Sequence, residues 1–371
     1  MKLERTLLRL CFLFLLSLNS HDQEQEFVWF SSDDFQLQGK LQHEDTEAFQ
    51  RLPLEMKSKV RERVWHLSEN SSGLYLDFFT SSSSIEVTYE VSGVLAFPHM
   101  PATGVSGLDL YALDKKGIWH WVRGRYNFKE KLSYTFSGIE SNTKEQIIAY
   151  RLYLPLYNTV KDLQIGIPKS ENFDLIKVPE QNKPIVVYGT SIAQGACASR
   201  PGLAWTSILG RLLNQPVINL GFSGNGRLET EIVDFICKKT AALYILDCMP
   251  NFTSGQQLGP EQAKKRLRET ILQIRKSQKD TPILLVEHAG YSDGALQKSR
   301  RKTYTQLNQA TQEIFKQLQE DKIPGLYLLS KEELGLGIES FVDGTHPNDL
   351  GMVQYATAYE KIIRSIMENK N

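Results

Sequence analysis

The hydrophobic pattern changes period once along this chain, and that change constrains the fold more than any other feature. The break falls at Lys169–Lys183, in the polar, proline-flanked segment PKSENFDLIKVPEQNKP. Such a segment reads as a linker. Before it, apolar residues alternate with polar ones in Leu74-Tyr75-Leu76-Asp77-Phe78-Phe79, Ile85–Val91 and Gln164–Ile167. Leu108–Leu113 and Ile118–Val122 follow the same rule around an Asp114-Lys115-Lys116-Gly117 turn. Short strands without long helical patterns predict an antiparallel β-sandwich.

After the break, short apolar runs predict strands at Pro184–Tyr188, Val217–Leu220, Ala241–Leu246, Pro282–Val286 and Gly325–Leu329. Continuous apolar runs suit parallel strands buried on both faces. Helical patterns lie between them at Ala204–Leu213, Glu229–Lys238, Pro260–Lys276 and Gln297–Leu318, with a last one at Leu350–Met367. Strand–helix alternation of this kind predicts a doubly wound α/β sheet. The expected parse is a leader over 1–20, a β-sandwich domain over 21–172, a linker over 173–183 and an α/β domain over 184–371.

The leader is expected because Lys2, Arg5 and Arg9 precede the apolar run Leu10–Leu18, as in a secretory signal peptide. The run is shorter than the roughly 20 apolar residues that span a bilayer. Export to the periplasm or the exterior, with no stable membrane insertion afterwards, is the expectation. Beyond the leader only Cys197, Cys237 and Cys248 remain, with no CxxC pair, which argues against a disulfide scaffold and a structural zinc site. Lys plus Arg number 43 and Asp plus Glu 43, so the chain lacks the basic footprint of a nucleic-acid binder.

In doubly wound sheets ligands bind where strands end at their carboxyl edge. Gly189-Thr190-Ser191-Ile192-Ala193-Gln194-Gly195 follows the first run. A serine there either exposes its hydroxyl at the sheet edge or caps a helix. Gly221-Phe222-Ser223-Gly224-Asn225-Gly226 follows the second. Its glycines allow close backbone approach to a ligand or simply form a turn, and the spacing is not that of a phosphate loop. Asn251 follows the third run and offers an amide. Asp343-Gly344-Thr345-His346 precedes the last helix, where a carboxylate three residues from an imidazole can fix its tautomer. Only His288 and His346 lie in this half, so a serine assisted by a base has little choice of partner.

Together these blocks resemble the SGNH, or GDSL-like, hydrolases. Ser191 stands in the nucleophile block, which here reads GTS in place of GDS. Gly224, Asn251 and His346 match the three later blocks in order, with DCMPN in place of GxND. Gly107-Leu108-Asp109-Leu110-Tyr111 resembles the GxDLY signature of a subgroup with an N-terminal β-domain. The resemblance implies a flavodoxin-like hydrolase sheet behind a jelly-roll-like sandwich. It implies a Ser191–His346–Asp343 triad and an oxyanion hole of the Ser191 and Gly224 N–H groups with the Asn251 amide. Neither metal nor organic cofactor is implied.

Thr190 and His288 are further candidates for lining the pocket. The expected substrate is a small-molecule or polysaccharide ester, with acetyl groups on carbohydrates foremost, and the oligomeric state is left open. A lysophospholipase or thioesterase is the alternative enzyme, and a carbohydrate-binding protein with a weak site the alternative from another class. Trp119 and Trp121 share a strand face that could stack on sugar rings, although burial in the sandwich core is the expected role for such rings.

Overall fold

The computed structural model describes residues 26–31, 34–41, 46–140, 147–176, 183–253 and 258–368. The leader and parts of the linker lie outside the described residues. In the N-terminal half, two-residue alternation produces two antiparallel sheets. One runs β1 (Phe27–Ser31), β9 (Val160–Pro168), β3 (Ser84–Val91), β7 (Leu132–Ser137) and β6 (Gly124–Phe128). The other runs β10 (Asp174–Leu175), β2 (Tyr75–Phe79), β8 (Ile147–Tyr153), β4 (Asp109–Asp114) and β5 (Trp119–Val122). In β3, Ile85, Val87 and Tyr89 are buried while Glu86 and Thr88 are only partly covered. These inward positions meet Phe78, Tyr150 and Ile165 in one core, which makes the unit a β-sandwich. The segment expected as linker contributes to it, since Leu175 pairs with Phe78 and packs on the core.

The C-terminal half is a parallel sheet in the order β12 (Val217–Gly221), β11 (Ile185–Gly189), β13 (Leu243–Asp247), β14 (Ile283–Val286) and β15 (Leu326–Leu329). Counted within this half the order is 2-1-3-4-5, the flavodoxin-like arrangement. Every residue of its first four strands is buried. That is why these segments read as continuous apolar runs rather than alternating ones. Helices cover both faces and form two apolar clusters, one around Phe235 and Ile271, the other around Trp205, Tyr355 and Tyr359. No helix among the described residues is long and apolar enough to cross a membrane.

The two halves share more than a linker. Leu41, Leu52, Met56, Val64, Trp65 and Leu67 precede the main sandwich strands but belong to the core on one face of the parallel sheet. The helix Glu62–Ser68 carries three of them. Only the helix's short length and polar neighbours show in the sequence, so its distant apolar partner was not foreseen.

The DLY residues form the second contact. Asp109 Oδ2 accepts from Arg200 Nη1 at 2.6 Å and from the Gly202 N–H at 2.9 Å. Arg200 Nη1 also donates to the Tyr111 hydroxyl at 2.6 Å. Burial pushes the Asp109 carboxyl up, while Arg200 opposes that shift. Trp119 and Trp121 lie outside the sandwich core, contrary to expectation. Their side faces the hydrolase half, where Arg200 sits 4.6 Å from the Trp121 ring and the Trp121 indole donates to Asp109 at 2.7 Å. Asp109→Ala strands the Arg200 cation at this junction. It is expected to lower the unfolding free energy by about 3 kcal/mol, read as a lower denaturant midpoint.

Candidate active site

The site begins where β11 ends. Thr190 caps the short helix Ser191–Gln194, its side chain accepting from the Ile192 N–H at 3.3 Å. The cap was one expected reading of Ser191, and Thr190 takes it instead. Ser191 therefore stands at the first helical position. Its N–H has no intrahelical acceptor there and makes no hydrogen bond among the described residues. Gly195 stops the helix in the left-handed region at φ 101°.

Ser191 Oγ lies 2.9 Å from His346 Nε2, and His346 Nδ1 lies 2.7 Å from Asp343 Oδ2. With Nδ1–H donated to the carboxylate, the network assigns an Nε2 lone pair to the serine hydroxyl. Asp343 Oδ1 accepts from the Thr345 and His346 N–H groups at 3.0 and 2.8 Å, which folds Asp-x-x-His into a tight turn. Partial burial would raise the Asp343 carboxyl, but these bonds and the imidazole outweigh it and hold it below the usual carboxylate range. It stays an acceptor at neutral pH.

The glycine-rich loop packs directly on the nucleophile turn. The Phe222 N–H donates to the Gly189 carbonyl at 3.0 Å, and a Cβ at Gly226 would fall 1.9 Å from that same oxygen. Gly224 has φ +67°, a conformation that side-chain-bearing residues rarely adopt. Its N–H makes no hydrogen bond among the described residues. Asn251 is buried in the 3-10 turn Met249–Phe252, and its amide donates to the Gly226 carbonyl at 3.0 Å and the Phe222 carbonyl at 3.3 Å. As described, the amide braces the loop.

Thr190 and His288 do not line the cleft beside His346. Thr190 is buried beneath the nucleophile turn. His288 is 1% exposed, accepts from the Gly290 N–H on Nδ1 at 2.9 Å and is bracketed by Asn308. Burial, aided by the Arg300 guanidinium, pulls its pKa down to about 3. An unfolded histidine titrates near 6.5, so the unfolded chain binds the extra proton between those values. Stability is therefore fully present above about pH 6.5 and falls as pH drops toward 3. Between pH 7.5 and 5 the loss should be about 2 kcal/mol, and much smaller in His288→Gln, as read by denaturant midpoints at the two pH values.

A cleft of about 370 Å³ opens over His346. Its walls include Arg63, His66, Phe97, His99 and Tyr157 from the N-terminal half, with Ala196 and Ser223 from the hydrolase half. The His99 ring stacks on that of His346 at 6.1 Å between centroids. Sequence reasoning confined the site to the C-terminal half and missed these residues. The segment Phe97-Pro98-His99-Met100-Pro101 carried a signal, since two prolines stiffen an aromatic loop that alternation cannot explain.

Among the described residues, Cys197, Asp343 and His346 are the one trio whose ligand atoms lie within 4.8 Å of one another. The Asp343–His346 bond already engages two of them, and burial pushes the Cys197 thiol up to about 12. Cys197, Cys237 and Cys248, the cysteines among the described residues, are free thiols.

The parallel sheet and the hydrogen-bonded Ser–His–Asp row at its carboxyl edge place the protein among α/β esterases. The chain belongs to the GDSL-like Lipase/Acylhydrolase family, whose model matches residues 182–364. The GxDLY model, described as the N-terminus of Esterase_SGNH_hydro-type, matches residues 26–173. A crystal structure described as a GDSL-like lipase from Bacteroides ovatus is 30% identical, with TM-score 0.83 over 92% of this chain and 98% of that one. A salicylyl-acyltransferase from a tetracycline biosynthetic pathway is 18% identical, with TM-score 0.73 over 92% and 97%. A family two carbohydrate esterase from Clostridium thermocellum, in complex with cellohexaose, is 12% identical, with TM-score 0.50 over 80% and 92%. The last two share the fold. A search of curated proteins found no match.

Proposed function

We propose that this protein is an exported serine esterase that removes short acyl groups, acetyl foremost, from carbohydrates. The observation that carries the reading is the Ser191–His346–Asp343 row, whose His346 lines a cleft walled by polar and aromatic side chains. A serine hydroxyl is a poor nucleophile at neutral pH and needs a base in contact. His346 takes the Ser191 proton as Oγ attacks the ester carbonyl, and then gives it to the departing alkoxide. Asp343 holds the imidazole and stabilises its cation. Water, deprotonated by His346, then cleaves the acyl-enzyme and releases the acid. The Ser191 and Gly224 N–H groups are the free donors for the oxyanion.

Asn251 is the third donor in this reading. It would surrender the longer of its two bonds, that to Phe222, as the oxyanion forms. Asn251→Ala should lower kcat by about 10²-fold with KM little changed. An unaltered kcat would leave Asn251 as a brace only.

Export rests on the leader-like residues 1–20, and the carbohydrate substrate on the cleft's chemistry. The fold shared with a carbohydrate esterase that binds cellohexaose agrees with the second. Acetate release from acetylated polysaccharides, compared with hydrolysis of p-nitrophenyl esters of rising acyl length, tests the substrate. Preference for acetyl supports the reading. Preference for long acyl chains would favour a lysophospholipase or thioesterase.

A further inference from the structure

Arg51 is 1% exposed, yet no carboxylate pairs with it among the described residues. All of its hydrogen bonds go to backbone carbonyls. Nε donates to Asn70 at 2.9 Å, Nη2 to Leu67 at 2.5 Å, and Nη1 to Asn219 and Gly221 at 3.1 and 2.8 Å. The guanidinium lies 5.0 Å from the centroid of the Phe222 ring. Burial pulls its pKa down to about 9, so it remains a cation at neutral pH.

The positions of its acceptors are informative. The Asn219 and Gly221 carbonyls close β12 immediately before the loop that carries Gly224. Leu67 and Asn70 line the cleft. The Gly221 carbonyl shares its peptide with the Phe222 N–H, which donates to Gly189 two residues before Ser191. A continuous hydrogen-bonded chain thus runs from Arg51 through the loop to the nucleophile turn. Such chains polarise one another in a low-dielectric interior. Gln194 ties the same parts together. It accepts from the Ser223 N–H at 3.0 Å and donates to Asn70 Oδ1 at 3.2 Å.

Removing a buried cation from water is costly, and a nearby carboxylate is the usual compensation. Carbonyl dipoles solvate the charge here without cancelling it. We propose that Arg51 is a positioning residue for ester hydrolysis. It fixes the Gly224 loop against the nucleophile turn and holds an unneutralised positive charge at the root of that loop. The inference rests on the esterase reading above. It makes the N-terminal half part of the catalytic apparatus rather than a neighbour of it.

The test uses full-length Arg51→Lys and Arg51→Met with p-nitrophenyl acetate, at a temperature where circular dichroism shows each variant folded. Lys keeps the charge but cannot span both pairs of carbonyls, and Met keeps only the bulk. In Arg51→Met, kcat should fall about 10²-fold with KM within about threefold. Affinity for a boronic-acid transition-state analogue should fall in parallel with kcat. Arg51→Lys should recover about tenfold of the lost rate if the charge contributes, as proposed.

A kcat within twofold of wild type in either folded variant would overturn the proposal, as would equal loss of analogue and ground-state affinity. Wild-type protein supplies a readout that needs no folded variant. The Arg51 guanidinium nitrogen resonances should shift when the boronate binds and stay put with acetate, and unmoved resonances would also overturn it. Absence of wild-type ester turnover would instead remove the esterase reading on which the inference stands.

Discussion

Ser191→Ala should reduce kcat toward p-nitrophenyl acetate by about 10⁶-fold, the largest effect expected of any single substitution in this chain. The reason is chemical. The Ser191 hydroxyl is the nucleophile in contact with His346 Nε2, and alanine leaves the imidazole without a proton to take. Residual turnover of about 10³–10⁴ over water would come from the oxyanion donors and substrate binding. The fold should survive, because Ser191 Oγ makes no bond to the core and the helix cap belongs to Thr190. Steady-state kinetics beside a thermal melt checks both halves. Near-wild-type turnover with an intact melt would sink the assignment of the nucleophile.

Asp343→Asn should lower kcat by about 10⁴-fold while barely moving KM. The amide can still accept from the Thr345 and His346 N–H groups, so the turn keeps its shape. Its other end can present an NH₂ to His346 Nδ1, which then becomes an acceptor. The ring proton moves to Nε2, where it faces Ser191 and blocks the base. Loss of the anion also withdraws support for the imidazolium. Raising the pH should recover little activity, since the fault lies in the tautomer rather than in a shifted titration. A loss below about tenfold would mean that another group orients His346.

How much of this was legible depended on whether a residue's partner lies close in sequence. Strands β2 and β3 announce themselves because inward and outward residues alternate within each. Three of the four blocks of the site are legible because each directly follows a buried strand, and the fourth because it stands just before the last helix, so local order maps onto spatial order. The segment 41–67 is different. Its Leu41, Leu52, Met56, Val64, Trp65 and Leu67 pack against helices well over 100 positions away, and nothing local marks them. Arg51 looks like any loop arginine until its carbonyl partners at 219 and 221 are in place. Gln194 reads as a polar helix residue, although it is fully buried between two loops and the N-terminal half. His99 was passed over for a related reason. It was counted outside the catalytic half, whereas the fold lays its ring on that of His346.

The Asp109–Arg200–Tyr111 junction has a consequence for descent. A module that merely rides beside an enzyme can be traded between genes, because either half works alone. Here each half keeps its partner's side chains in place, and the cleft wall crosses the same boundary. Recombination that swapped one half would have to carry matching residues on both sides at once. The two segments should therefore be inherited as a single unit, and changes at position 109 should be answered at position 200.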